Sequence, residues 1–220
     1  MKERGMIFNG EMVRAILDGR KTQTRRIMAP QPADDIERGI FPNPEVIGWK
    51  SSLRHKHGST TAHFCPYGKP GDRIWVREAF RVHSRATDVA TLVYKASERN
   101  SWTEQTHRVP VAVCNKPATP EKWTPSLHMP RWASRILLEI TDVRVERLNA
   151  ISEEDARAEG IIDGGCLNCG EPEPCGCANP DPDATDAFAY LWQSIYGQEN
   201  WNANPWVWVI EFKRVEGGAA

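Results

Sequence analysis

The sequence predicts an α+β protein. It should be a small, closed or nearly closed antiparallel β-barrel with flanking helices and a cysteine-rich insert. Three observations lead there. Strand-like segments outnumber helical ones. They do not alternate regularly with helices, as they would in a doubly wound sheet. The longest β pattern, "SRILLEITDVRVERL" (134–148), combines β-branched residues with period-two alternation. The chain has 220 residues, enough to bury a sizeable core. It reads as one domain over 1–215, with a loop excursion at 29–66, the insert at 163–183 and a frayed tail at 216–220.

Each element has a local reason. "MIFN" is a short strand, and "GEMVRAILDG" is a helix with Met12, Ala15 and Ile16 at helical spacing and Gly19 just past its end. "APQPADDIERGIFPNPEVIG" is proline-rich and aperiodic, hence loop. In "GKPGDRIWVREAF" a turn at Pro70-Gly71-Asp72 leads into a strand with Ile74 and Val76 inward, and "TLVYKA" reads as another strand. In "SEEDARAEG" Ser152 caps a helix whose first-turn acids suit the positive end of the helix dipole. Asp155 sits where a capping box wants an acid, and Gly160 is the stop. "ATDAFAYLWQSIYG" is an amphipathic helix ending at Gly197, and "PWVWVIEFKRV" is a closing strand.

Composition narrows the partners. Net charge is −1, so attraction to nucleic acid must come from a local patch. The opening "MKERGMIFNG" lacks the apolar core of a signal peptide, and no apolar run is long enough to span a membrane. A cytoplasmic protein is expected, whose six cysteines are thiols or metal ligands rather than disulfides. Four of them, Cys166, Cys169, Cys175 and Cys177, crowd an insert full of glycine and proline that is too poor in apolar residues to order itself. They form the ligand set of a structural zinc site, although the second pair is C-x-C. The plainer alternative is a flexible loop of reduced thiols. His55, His57, His63 and Cys65 form a weaker cluster of ligand types, of the kind that is often just an exposed loop.

Positive charge concentrates in "ILDGRKTQTRR" (16–26), just where the first helix stops. Together with "ISEEDARAEGI" and "VWVIEFKRV", this segment resembles the signature segments of the ASCH domain, a small β-barrel family similar to the RNA-binding PUA fold. "GKPGDRIWVREAF" and "WTPSLHMPRWASRILLEITDVRVERL" resemble the long ASCH proteins of bacteriophages and prophages. The resemblance covers most of the chain, apart from the loop after Arg26 and the cysteine insert. It implies a hydrolase directed at RNA or a modified nucleoside, similar to small members that remove the acetyl group of N4-acetylcytidine. Carried over residue by residue, the family's catalytic Lys, Thr and Glu fall on Lys21, Thr24 and Glu159. Other members bind RNA without chemistry or cleave it as ribonucleases, and both remain alternatives.

The chemistry can be argued from the residue types. Amide cleavage needs a nucleophile, a base and an acid for the leaving amine. A threonine hydroxyl needs a neighbouring base. Lys21 can serve only if burial or nearby cations bring its pKa well below the usual ~10.4. Glu159 would protonate the leaving nitrogen. In an extended strand Lys21 and Thr24 point to opposite faces, so a turn after Gly19 is required. The plain alternative makes Thr24 a strand residue, Lys21 a surface cation and Glu159 one acid on a solvated helix. Arg20, Arg25 and Arg26 are expected to grip phosphates, with Arg73, Arg77, Arg131 and Arg135 extending the surface. Trp75 reads as core, whereas Trp123 and Trp132 are candidates for base stacking.

Overall fold

Short apolar runs punctuated by glycine and proline give short elements. The computed structural model describes residues 1–32, 41–42, 50–54, 60–162, 166, 168–169, 176–178 and 183–215. In order these form β1 (Glu3–Ile7), α1 (Gly10–Leu17), β2 (Gln23–Ile27), β3 (Phe41–Pro42), β4 (Lys50–Arg54), β5 (Thr60–Phe64), β6 (Arg73–Arg77), β7 (Phe80–Arg85) and β8 (Val89–Tyr94). There follow α2 (Trp102–Gln105), β9 (Thr106–Pro110), β10 (Leu137–Arg147), α3 (Glu153–Ala158), α4 (Ala184–Tyr196), α5 (Gln198–Asn202) and β11 (Trp206–Arg214). Among the described residues no helix is long and apolar enough to cross a membrane. The tail at 216–220 lies outside the described residues.

The α+β class holds, but the closed barrel does not. Among the described residues, one five-stranded sheet has the order β1-β6-β10-β11-β2, which has two ends, and the other sheets are β3-β4-β5 and β7-β8-β9. One edge pairing is parallel, β1 on β6, in the register Glu3↔Arg73 to Ile7↔Arg77. Closure needs an edge-to-edge pairing between strands distant in sequence, which local alternation does not encode. The segment at 29–66 was expected to be loop, yet it holds β3, β4 and β5 as an antiparallel sheet.

The chain divides into two compact units. One comprises Met1–Asp18, Gly71–Glu139 and Lys213–Ala220; the other comprises Gly19–Pro70 and Ile140–Phe212. In the first unit β7, β8 and β9 form an antiparallel meander. Its alternating residues bury Phe80, Val82, Leu92, Tyr94 and Val109 around Met129 and Ala133. The Tyr94 hydroxyl donates to Ala133 O at 2.7 Å, so its polar end is satisfied inside. Glu78 and Arg135 form a buried ion pair, Nε to Oε1 at 2.9 Å. In the second unit β11 runs antiparallel to β2, with Ile210 opposite Thr24 and Glu211 opposite Gln23. Val207 to Ile210 are all buried, as the near-continuous apolar run "VWVI" requires. A core of Leu148, Ile151, Ala156, Phe188, Trp192 and Val209 fixes α3 and α4 in this unit.

Candidate active site

Two glycines shape the backbone of the site. Gly19 has φ +77° and follows the end of α1, so the chain can turn before Arg20; Gly160 has φ +88° and ends α3. Between them the chain is stitched together by backbone contacts. Lys21 and Glu159 form an isolated antiparallel bridge. Thr22 N donates to Ala158 O at 2.9 Å, and Phe212 N donates to Thr22 O at 2.8 Å. The turn expected after Gly19 therefore brings Lys21 onto the end of α3.

The side chains complete the contact. Lys21 Nζ donates to Glu159 Oε2 at 2.6 Å and to Glu159 O at 2.8 Å. The Lys21 side chain is 0% exposed and that of Glu159 is 4% exposed. Burial lowers the Lys21 pKa below the ordinary lysine value; Glu159 opposes that shift, and the nearby charges of Arg26 and Arg25 add to it.

Strand β2 then divides its side chains between two faces. Gln23 and Arg25 turn to α3: Gln23 Nε2 donates to Asp155 O at 2.8 Å, and Arg25 Nη2 to Asp155 Oδ2 at 2.8 Å. Arg25 also reaches Glu146 Oε2 at 3.1 Å and Glu159 Oε1 at 3.3 Å. Thr24 and Arg26 turn the other way and bond to each other, Nη1 to Oγ1 at 2.8 Å. The structure thus brings Lys21 and Glu159 into direct contact, while Thr24 meets Arg26 and makes no hydrogen bond to Lys21 among the described residues.

The arginines correct the expected basic face. Arg25 is 1% exposed and engaged by three carboxylates, so it has no free charge to offer a phosphate. Arg20 and Arg26 are half-buried; Arg20 Nη1 donates to Gly160 O at 2.9 Å. Sequence reasoning missed Gln23, Arg144, Glu146 and Asp155 as members of the site. Arg144 Nη2 sits 3.0 Å from both Asp155 oxygens, and its other nitrogens pair with Glu146 and Glu211. A signal for two of them existed, because alternation in "ITDVRVERL" puts Arg144 and Glu146 on one face. Asp155 was assigned to a capping box. Only half of that box forms: Asp155 N donates to Ser152 Oγ at 3.2 Å, while the carboxylate serves Arg25 and Arg144.

Trp123 and Trp132 belong to the first unit. Trp132 packs edge-on to Phe80, with ring centroids 6.2 Å apart, against the meander core; it is a core filler rather than an open platform. Trp123 is half-buried, with the Arg81 guanidinium 4.5 Å from its ring centroid. Of the arginines expected to extend a binding surface, three have partners within the first unit, and the Arg131 pair is exposed. Arg135 pairs with Glu78, Arg131 pairs with Glu3, and Arg77 donates to Ser126 O and Leu127 O.

In the insert, the sulfurs of Cys166, Cys169 and Cys177 all lie within 4.8 Å of one another, a spacing that could hold a metal ion. Cys175 lies outside the described residues, as do His55 and His57. His63 and Cys65 are buried, and burial lowers the His63 pKa. Comparison of the chain with protein-family models, with curated proteins and with solved structures gave no match.

Proposed function

We propose that the chain is an ASCH-type, PUA-like hydrolase of RNA or of a modified nucleoside, cleaving the amide of an acylated cytidine such as N4-acetylcytidine. The family reading is supported by where its three signature segments meet. The segment at 20–26 bridges the end of α3 through Lys21 and Glu159 and pairs with β11 along β2. Segments separated by more than a hundred residues converge on one set of side chains.

One observation carries the chemistry: the buried 2.6 Å contact between Lys21 Nζ and Glu159 Oε2. Moving a single proton along it converts an ammonium and a carboxylate into an amine and a carboxylic acid. These are the base and the acid that amide cleavage needs, obtained without net proton uptake. Burial favours the neutral form. In the proposed cycle the Lys21 amine takes a proton from a water as the water oxygen bonds to the acyl carbon. The C–N bond then breaks, and the Glu159 carboxyl protonates the departing cytidine nitrogen. Acetic acid leaves, and a proton passes from the Lys21 ammonium back to the Glu159 carboxylate, so the pair begins the next turnover unchanged. Thr24 Oγ1 accepts from Arg26 Nη1 on the other face of β2, so the nucleophile's role falls to water rather than to Thr24, and the Arg26 charge disfavours the Lys21 ammonium.

The same reading assigns zinc to the cysteine cluster. Cys166, Cys169 and Cys177 supply three thiolates, and Cys175 is the fourth by sequence. A tetrahedral thiolate set suits zinc, which would order the insert rather than take part in the reaction.

The test is product analysis by mass spectrometry after incubation with N4-acetylcytidine and, separately, with single-stranded RNA. The proposal expects cytidine and acetate, abolished by Lys21→Ala. Shortened RNA would instead identify a ribonuclease, and RNA binding with neither product would identify a binding module.

A further inference from the structure

The first unit contains a cleft of about 370 Å³, lined in part by Val82, Lys116, Lys122, Trp123, Pro125 and His128. No carboxylate lines it. Its walls are firmly held. Thr119 N donates to Val82 O at 2.9 Å, Thr124 N to Phe80 O at 2.7 Å, and Lys122 N to Thr119 O at 3.1 Å. Residues 119–124 are therefore a short loop clamped along β7, with Trp123 near its end. Buried Val82 is the floor. Trp123 lines the cleft, with the Arg81 guanidinium 4.5 Å from its ring centroid. Arg81, Lys116, Lys122 and His128 make no ion pair among the described residues. In a chain of net charge −1, this leaves a local positive field around one aromatic ring.

We infer that this cleft binds single-stranded RNA, with a base stacked on Trp123 and the flanking phosphates held by Lys116 and Lys122. The pairing of an aromatic platform with unpaired cations is what stacking recognition of single strands uses. Arg81 strengthens the platform by holding the ring in place. The cleft differs from the Lys21 site in charge: there Lys21, Arg25 and Arg144 are paired with Glu146, Asp155, Glu159 and Glu211. The inference deepens the reading of an RNA-directed protein and rests on it for the choice of RNA, while the geometry of the cleft stands on its own residues.

The experiment is titration of a fluorescent oligouridylate with the full chain, followed by anisotropy at several salt concentrations. Trp123→Leu should weaken binding by about tenfold, the scale of one lost stacking contact. Lys116→Ala with Lys122→Ala should weaken it and lower the salt slope by roughly 0.7 per phosphate contact. Lys122 is exposed, so the lysine variant keeps the test decisive if Trp123→Leu fails to fold. Each variant is also assayed on free N4-acetylcytidine. Unaltered turnover with weakened oligouridylate binding is expected. Oligouridylate binding that survives both changes, or that an oligoglutamate peptide displaces as readily as unlabelled oligouridylate, would overturn the cleft. Turnover on the nucleoside without any oligouridylate binding would overturn the cleft and leave the hydrolase standing. Cleft-dependent binding without turnover would do the reverse.

Discussion

Lys21 and Glu159 are both buried, and this changes what their substitution means. Removing one partner strands the other inside and costs about 3–5 kcal/mol. Lys21→Ala alone therefore lowers stability as well as turnover, contrary to the solvated lysine that the sequence also allowed. The informative variant is the double change Lys21→Met with Glu159→Leu. Replacing a buried pair by apolar side chains is often neutral, so its melting temperature should recover most of what each single change loses. Its turnover should stay down by roughly a hundredfold or more, the scale of a lost base or acid. Recovery of both would make the pair purely structural. The pH profile gives a second check. The pair works with one proton, and loss of that proton removes the acid. Because burial and the arginine charges lower the Lys21 pKa, turnover should fall on the alkaline side with a midpoint below the ordinary 10.5. Arg26→Gln removes a cation that disfavours the ammonium, so the alkaline midpoint should move up. A midpoint that stays put would separate Arg26 from the site.

At the scale of elements, α3 carries Asp155, which ties the helix to β2 and β10. Burial alone would raise its pKa, but the Arg25 and Arg144 guanidiniums outweigh that and hold it below the ordinary value of 3.8. A depressed carboxylate stabilises the fold above its unfolded pKa and loses that contribution as pH falls through the folded one. Asp155→Asn should therefore lower the melting temperature at neutral pH and flatten the acid limb below about pH 4. An acid limb identical to that of the parent would contradict the ion pairs of Asp155 with Arg25 and Arg144. Ser152→Ala removes the cap on the same helix and should cost about 1 kcal/mol in denaturant unfolding. These elements were legible because their signals are local: Ser152 and Gly160 bracket α3, Gly19 follows α1, and alternation marks β10. Alternation put Arg144 and Glu146 on one face, but the roles of Asp155 and Gln23 were not legible. Each depends on β2 lying beside α3, a pairing across more than a hundred residues that leaves no local trace.

For the whole molecule, the α+β class followed from composition and pattern, whereas sheet closure did not. Strand order depends on partners chosen at long range, such as β1 beside β6. The three strands inside 29–66 escaped notice because that segment begins with prolines and lacks an apolar period. The cysteine insert was legible for the opposite reason, since ligand spacing is a short-range signal. Metal analysis of protein purified without chelator should find about one zinc per chain, and Cys166→Ser should abolish it. Metal-free protein with a normal melting transition would refute the zinc assignment.

The central claim is that the buried pair of Lys21 and Glu159 does chemistry on an acylated cytidine. The most direct measurement is the rate of cytidine release from N4-acetylcytidine by the parent chain, by Glu159→Gln and by the apolar double variant, each at matched folded fraction. Glu159→Gln still accepts a hydrogen bond at that position but can neither take up nor give a proton there. We expect steady release by the parent and a loss of about a hundredfold or more in both variants. Release that is unchanged in Glu159→Gln, or absent from the folded parent, would contradict the claim.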